Sequence, residues 1–145
     1  MNPSQSEIRD LLAASEIIAV VGLSRHPLKP SRTVPEYLKE HGYRIIPINP
    51  HVDELMGEKA YASLQDIPEE LAAQIDLVDI FRPSKDLPEV VREALESIPN
   101  VKGIWAQLGI VNEEAADTAR RAGVMMVQDR CIRTDHRMLK ITKAL

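Results

Sequence analysis

The chain has 145 residues, 44% apolar and 28% charged, the size and balance of one globular domain, and its formal charge of −4 at pH 7 weighs against general polyanion binding. Aromatic residues make up only 3%, too few for the stacking platforms of single-stranded nucleic-acid binders, and a lone cysteine, Cys131, excludes an intramolecular disulfide. The histidines at 26, 41, 51 and 136 have neither H-x-x-x-H spacing nor a cysteine pair beside them, so no zinc centre is expected.

At the start, Ser4-Gln5-Ser6-Glu7 has the form of a capping box, and Ile8, Leu11 and Leu12 follow at helical spacing. Residues Met1 to Arg9 have neither the basic nor the apolar region of a signal peptide, and no apolar run approaches the ~20 residues of a membrane span, so a cytoplasmic location is the expectation. Ile17 to Val21 is an apolar run ending at Gly22 and Ser24, the pattern of a parallel strand buried on both faces whose end can approach a phosphate. A loop from Leu23 to Arg32 follows, concentrating Arg25, His26, Lys29 and Arg32 in an otherwise acidic chain. The next helix is predicted to start at Thr33, or alternatively Ser31, with Pro35 in its first turn and Glu36 closing a capping box; Gly42 ends it. Strand end, cationic loop and helix N-terminus are together the ingredients of an anion site.

Tyr43 to Ile48 reads as a second strand, terminated by Asn49-Pro50. An irregular connector is expected over 55–62, then a short helix marked by Ile67, Leu71 and Ile75, then a third strand from Asp76 to Phe81. Arg82-Pro83-Ser84 breaks that strand, and Asp86-Leu87-Pro88-Glu89 opens a helix with Val90, Val91, Ala94, Leu95 and Ile98 inward. A fourth strand, Val101 to Ala106, carries Trp105 as a core residue and closes at Gln107-Leu108-Gly109. Asn112 caps an alanine-lined helix that Gly123 stops, and Val124 to Val127 is a fifth strand. A basic terminal segment from Arg130 to Lys143 is expected to be anchored by Met138, Leu139 and Ile141, with its arginines and lysines on a solvated face. Strict β-α alternation demands parallel pairing through crossovers, so the predicted fold is a Rossmann-like, doubly wound α/β domain spanning residues 1–145. Its five-stranded parallel sheet has order 3-2-1-4-5, helices on both faces and a switch point beside the first strand.

Ligands on such sheets bind beyond the carboxyl ends of the strands. Those ends are Gly22 to Arg25, Asn49 to His51, Phe81 to Pro83, Gln107 to Gly109 and Asp129 to Cys131. A G-x-G-x-x-G fingerprint would need glycines where Ser24 and Pro27 stand, and a ribose-binding enzyme would carry an acidic residue near Asn49, so an NAD site is not indicated.

The ordered motifs V-G-L-S, Y-L-x-x-x-G-Y-R-I-I-P-I-N-P, D-L-V-D-I-F-R-P, I-W-A-Q-L-G-I and Q-D-R-C, over about residues 16 to 137, resemble the small bacterial coenzyme A-binding proteins. That family is related to the coenzyme A-binding domain of the succinyl-CoA synthetase α subunit. The resemblance implies a Rossmann-like fold with coenzyme A at the strand ends. It implies Gly22, Leu23, Ser24 and Arg25 at the phosphates, Asn49 and Pro50 beside the ligand, Phe81, Arg82 and Pro83 near the nucleotide, and Gln107 to Gly109 along the pantetheine path. The second synthetase domain, with its phosphorylated histidine, is not expected here. The pyrophosphate and 3′-phosphate of coenzyme A call for several cations, in line with Arg25, Lys29, Arg32 and Arg82, whose assignment to particular phosphates the sequence leaves open. The expected function is therefore coenzyme A or acyl-CoA binding without catalysis. The alternatives are an NAD(P)-binding redox sensor or oxidoreductase, and an acyl-CoA enzyme using Cys131 or His136; the sequence does not identify a protein partner.

Overall fold

The computed structural model describes residues 2–141. In chain order the elements are α1 (Gln5–Ala14), β1 (Ile17–Val21), α2 (Pro30–Glu40), β2 (Arg44–Ile48), β3 (Glu54–Leu55), β4 (Glu58–Lys59) and α3 (Glu69–Ala72). They continue as β5 (Leu77–Ile80), α4 (Leu87–Ser97), β6 (Gly103–Ala106), α5 (Glu113–Arg121), β7 (Met125–Val127) and α6 (Ile132–Met138). The five long-range strands pair in parallel, as the β-α alternation requires. Side chains alternate along them between two cores. Ala19, Val21, Val78, Ile80 and Ile104 pack under α4 and α5, whereas Ile18, Val20, Leu77 and Trp105 pack under α1, α2 and α6.

The lateral order differs from the prediction. It is β2-β1-β5-β6-β7, so the third of the predicted strands lies between the first and fourth rather than outside the second. Two features explain this. Every residue of β5 is buried, which an edge strand does not allow, and β2 contains Pro47. The Pro47 carbonyl accepts the Tyr61 N–H at 3.0 Å on the outer side, where proline has no N–H to offer a further strand, so β2 is an edge. The switch point remains beside β1, now facing β5.

Local corrections have equally plain causes. Residues 55–62 are not irregular throughout: Met56 and Gly57, with φ of 55° and 77°, close a β3–β4 hairpin, and Arg44 on β2 bonds Glu58 at 2.9 Å. α2 begins at Pro30, with Lys29 as its N-cap, so neither Thr33 nor Ser31 caps it and Glu36 instead pairs with Arg32 at 3.3 Å. Pro35 therefore lies inside the helix, where it cannot donate to the Ser31 carbonyl. The Ser24 N–H, from the loop after β1, takes that acceptor at 3.0 Å. Asp86 stands at the N-cap of α4 but bonds Arg82 at 3.1 Å rather than the helix backbone. The Ser4–Glu7 capping box and the Asn112 cap form as predicted.

Met138 is not an anchor, being 64% exposed, and Lys143 lies outside the described residues. α6 is held by buried Ile132, Asp135 and His136. His136 Nδ1 lies 2.8 Å from the Tyr37 hydroxyl, and Arg130 grips Asp135 with paired bonds of 2.6 Å. Buried Trp105 donates its indole N–H to the Arg130 carbonyl at 2.7 Å.

Beneath α6 lies a buried polar chain. The Gln107 amide donates to Asp79 Oδ1 at 2.5 Å, and its oxygen accepts the Ile132 N–H at 3.3 Å. Asp79 is fully buried and its Oδ2 has no hydrogen-bond partner. Burial, only partly offset by the Gln107 bond, pushes its carboxyl up from 3.8 to about 7. A folded-state value above the unfolded one means that this group's stabilising contribution is complete below about 3.8 and gone above about 7. Between pH 5 and pH 7, thermal or urea unfolding should show stability falling as pH rises, by about 1 kcal/mol per pH unit from this group near pH 5 to 6 and by about half that slope near pH 7, a dependence that Asp79→Asn removes.

Gly22 ends β1 with φ of 86°, and a Cβ there would lie 2.7 Å from the Phe81 carbonyl oxygen. Gly22→Ala should cost about 2–4 kcal/mol in urea unfolding, because left-handed strain and a backbone clash act together; an unchanged midpoint would contradict the geometry.

Candidate functional site

The carboxyl ends of the strands open into two clefts that meet at Phe81 and Arg82, directly after β5. This is the switch point: the chain leaves β1 toward β2 on one side and returns past β1 to β5 on the other. The first cleft, about 420 Å³, lies on the β2 side and is lined by Gly22, Asn49, Pro50, His51, Ser63, Leu64, Val90 and Glu93. The second, about 550 Å³, lies on the β6 side against the start of α2. Its walls are more apolar, with Pro30, Val34, Pro83, Leu108 and Ile110, and Lys29 and Arg133 bring charge. Both volumes fall within the ~300–1,000 Å³ typical of ligand sites.

Of the residues expected from the sequence, Gly22, Asn49 and Pro50 line the first cleft, Lys29, Pro83 and Gln107 the second, and Phe81 and Arg82 both. Leu23 is fully buried, so only its backbone is near the site, and its carbonyl accepts the Asn49 amide at 2.9 Å. Asn49 Oδ1 accepts the His51 N–H at 2.8 Å, so this side chain is a strap holding the loops after β1 and β2 together. Ser24 turns its hydroxyl to the His26 N–H at 2.9 Å. Arg25 is exposed and Arg32 is paired with Glu36, and both lie outside the linings of the two clefts. Gly109 also lies outside them, its N–H donating to Asp129 at 2.6 Å.

Sequence reasoning missed Ser63, Leu64 and Glu93. The Glu93 carboxylate crosses from α4 to accept the Leu64 and Gln65 N–H groups at 2.6 and 3.3 Å, fixing the far wall of the first cleft. No motif signals this, because the partners are almost thirty positions apart. Arg133 and Cys131 reach the second cleft from the start of α6. His136 does not accompany Cys131 there; it is buried against Tyr37 and lines neither cleft. Among the described residues no group of three or more His, Cys, Asp and Glu side chains is placed to hold a metal ion, and no helix is long and apolar enough to cross a membrane.

Comparison with known proteins is consistent with this geometry. The chain is 43% identical over 139 residues to the uncharacterized protein YneT of Bacillus subtilis, covering 96% of this chain and 98% of that one. It is 32% identical to the α subunit of an ADP-forming acetate–CoA ligase II of Pyrococcus furiosus, matching 79% of this chain but only 26% of that subunit. Among solved structures, a hypothetical protein from Pyrococcus horikoshii superposes with a TM-score of 0.86 at 36% identity, covering 95% of this chain and 93% of that one. A dinucleotide-forming acetyl-coenzyme A synthetase of Candidatus Korarchaeum cryptofilum, in complex with phosphate and ADP, gives 0.67 at 28% identity over 82% of this chain and 26% of that one. The model of the CoA binding domain matches residues 16–137, and with the parallel sheet and the clefts at its switch point this makes the chain a member of the CoA-binding domain family.

Proposed function

We propose that this chain binds coenzyme A or an acyl-CoA across the two clefts and acts as a binding module without chemistry of its own. The observation that carries the reading is the junction at Phe81 and Arg82, where a polar cleft meets a more apolar one at the switch point. A nucleotide suits the first and a pantetheine arm the second, with phosphates between them. Arg82 supplies positive charge at that junction and Lys29 in the second cleft, and the first turn of α2 adds the partial charge of a helix N-terminus. Family membership and the ligase relatives support the same ligand.

NAD fits less well. The residue after β2 is Asn49, and both ends of its amide are engaged with protein backbone, so it has no free acceptor pair for a ribose. An acyl-CoA enzyme would need a base beside Cys131, and His136 is bonded to Tyr37 instead.

Thermal unfolding separates these readings. At a hundredfold excess over its dissociation constant coenzyme A should add roughly 2.7 kcal/mol, a melting shift on the order of 5 to 10 °C. Dephospho-coenzyme A should shift less and NAD little; an equal or larger shift from NAD would overturn the assignment. Arg82→Ala should weaken coenzyme A about tenfold in calorimetry while changing stability little, because its ion pair with Asp86 is half exposed.

A further inference from the structure

The first cleft holds a carboxylate where an anionic ligand is proposed to bind, which calls for a reason. Glu93, on α4, lines the same cleft as Gly22 and Asn49. Its Oε1 is occupied by the Leu64 and Gln65 N–H groups at 2.6 and 3.3 Å, so the side chain is oriented from across the cleft. Its Oε2 receives no hydrogen bond from any described residue and is the acceptor left over for a ligand. An ionised carboxylate can only accept, so it repels phosphate and matches a donor.

Resting on the coenzyme A reading, we infer that Glu93 is a specificity-determining residue that accepts the exocyclic amine of the base, selecting adenine over a 6-oxo purine. Adenine presents an amino group at C6, whereas hypoxanthine presents a carbonyl oxygen that would face the carboxylate acceptor to acceptor. A site built around one such hydrogen bond discriminates strongly, since the wrong partner leaves a desolvated polar atom unsatisfied. The same charge directs the phosphates away from this wall toward Arg82 at the junction and Lys29 in the second cleft.

Calorimetric titration with adenosine 3′,5′-bisphosphate and inosine 3′,5′-bisphosphate tests this, with coenzyme A as a parallel arm. The native chain should prefer the adenosine compound by at least about tenfold. In Glu93→Gln the amide oxygen can still accept from Leu64 and Gln65 while the amide N–H₂ becomes a donor for O6, so the preference should vanish or invert, with the melting temperature as the folding control. Equal affinity for the two nucleotides in the native chain, or an unchanged preference in a folded Glu93→Gln, overturns the inference while leaving coenzyme A binding intact. Failure of the native chain to bind coenzyme A or either bisphosphate overturns both the inference and the reading it rests on. If the variant does not fold, the native preference decides alone.

Discussion

The close approach of β1 to the end of β5 is the constraint on which the rest of the site depends. Gly22 sits against the Phe81 backbone, with less room than a methyl group requires, and the neighbouring Phe81 N–H donates to the Val21 carbonyl at 2.9 Å. Both clefts open from this seam, one toward β2 and one toward β6. A bulkier residue at the end of β1 would separate the strands where the clefts must share the Phe81–Arg82 wall. Glycine therefore serves packing here as much as any ligand.

Backbone accounting explains much of the remaining architecture. Pro35 leaves one carbonyl of α2 without its helical donor, and that carbonyl fastens the loop after β1 through Ser24. Pro47 closes the sheet to further strands on the β2 side, where Tyr61 caps the edge. Gln107 joins Asp79 of β5 to the first N–H of α6, so the wall of the second cleft is tied to the sheet centre. Each of these links connects the ligand side of the sheet to its scaffold. The Asp79 carboxyl lies at the costly end of this chain, buried with one oxygen unsatisfied.

Charge around the site runs against the net charge of the chain, which is −4. Lys29, Arg82 and Arg133 border the second cleft or the junction, and Glu93 stands alone among carboxylates in the lining of the first. On the proposed reading this polarity sets the direction of an elongated ligand: phosphates at the junction, an amine-bearing base toward Glu93, and a neutral arm along Pro83, Leu108 and Ile110.

The elements were legible in the sequence because their signals are local. The apolar runs at Ile17–Val21 and Asp76–Phe81, the Ser4 and Asn112 caps and the alanine face of α5 each depend on neighbours a few positions away. Strand ends follow from strand positions, so Asn49, Phe81, Arg82 and Gln107 could be assigned to one side of the sheet, and the family motifs pointed to the same loops. The lateral order was not legible from alternation, although Pro47 carried the edge signal. Nor were the start of α2, the exposure of Met138, or the side chains of Arg25 and Arg32 lying outside the clefts. Tertiary structure alone brought Glu93 to Leu64, Asp79 under Gln107, and Cys131 into the second cleft. Periodicity and capping are short-range and written in consecutive residues, whereas a shared cleft depends on which distant segments the crossovers set side by side.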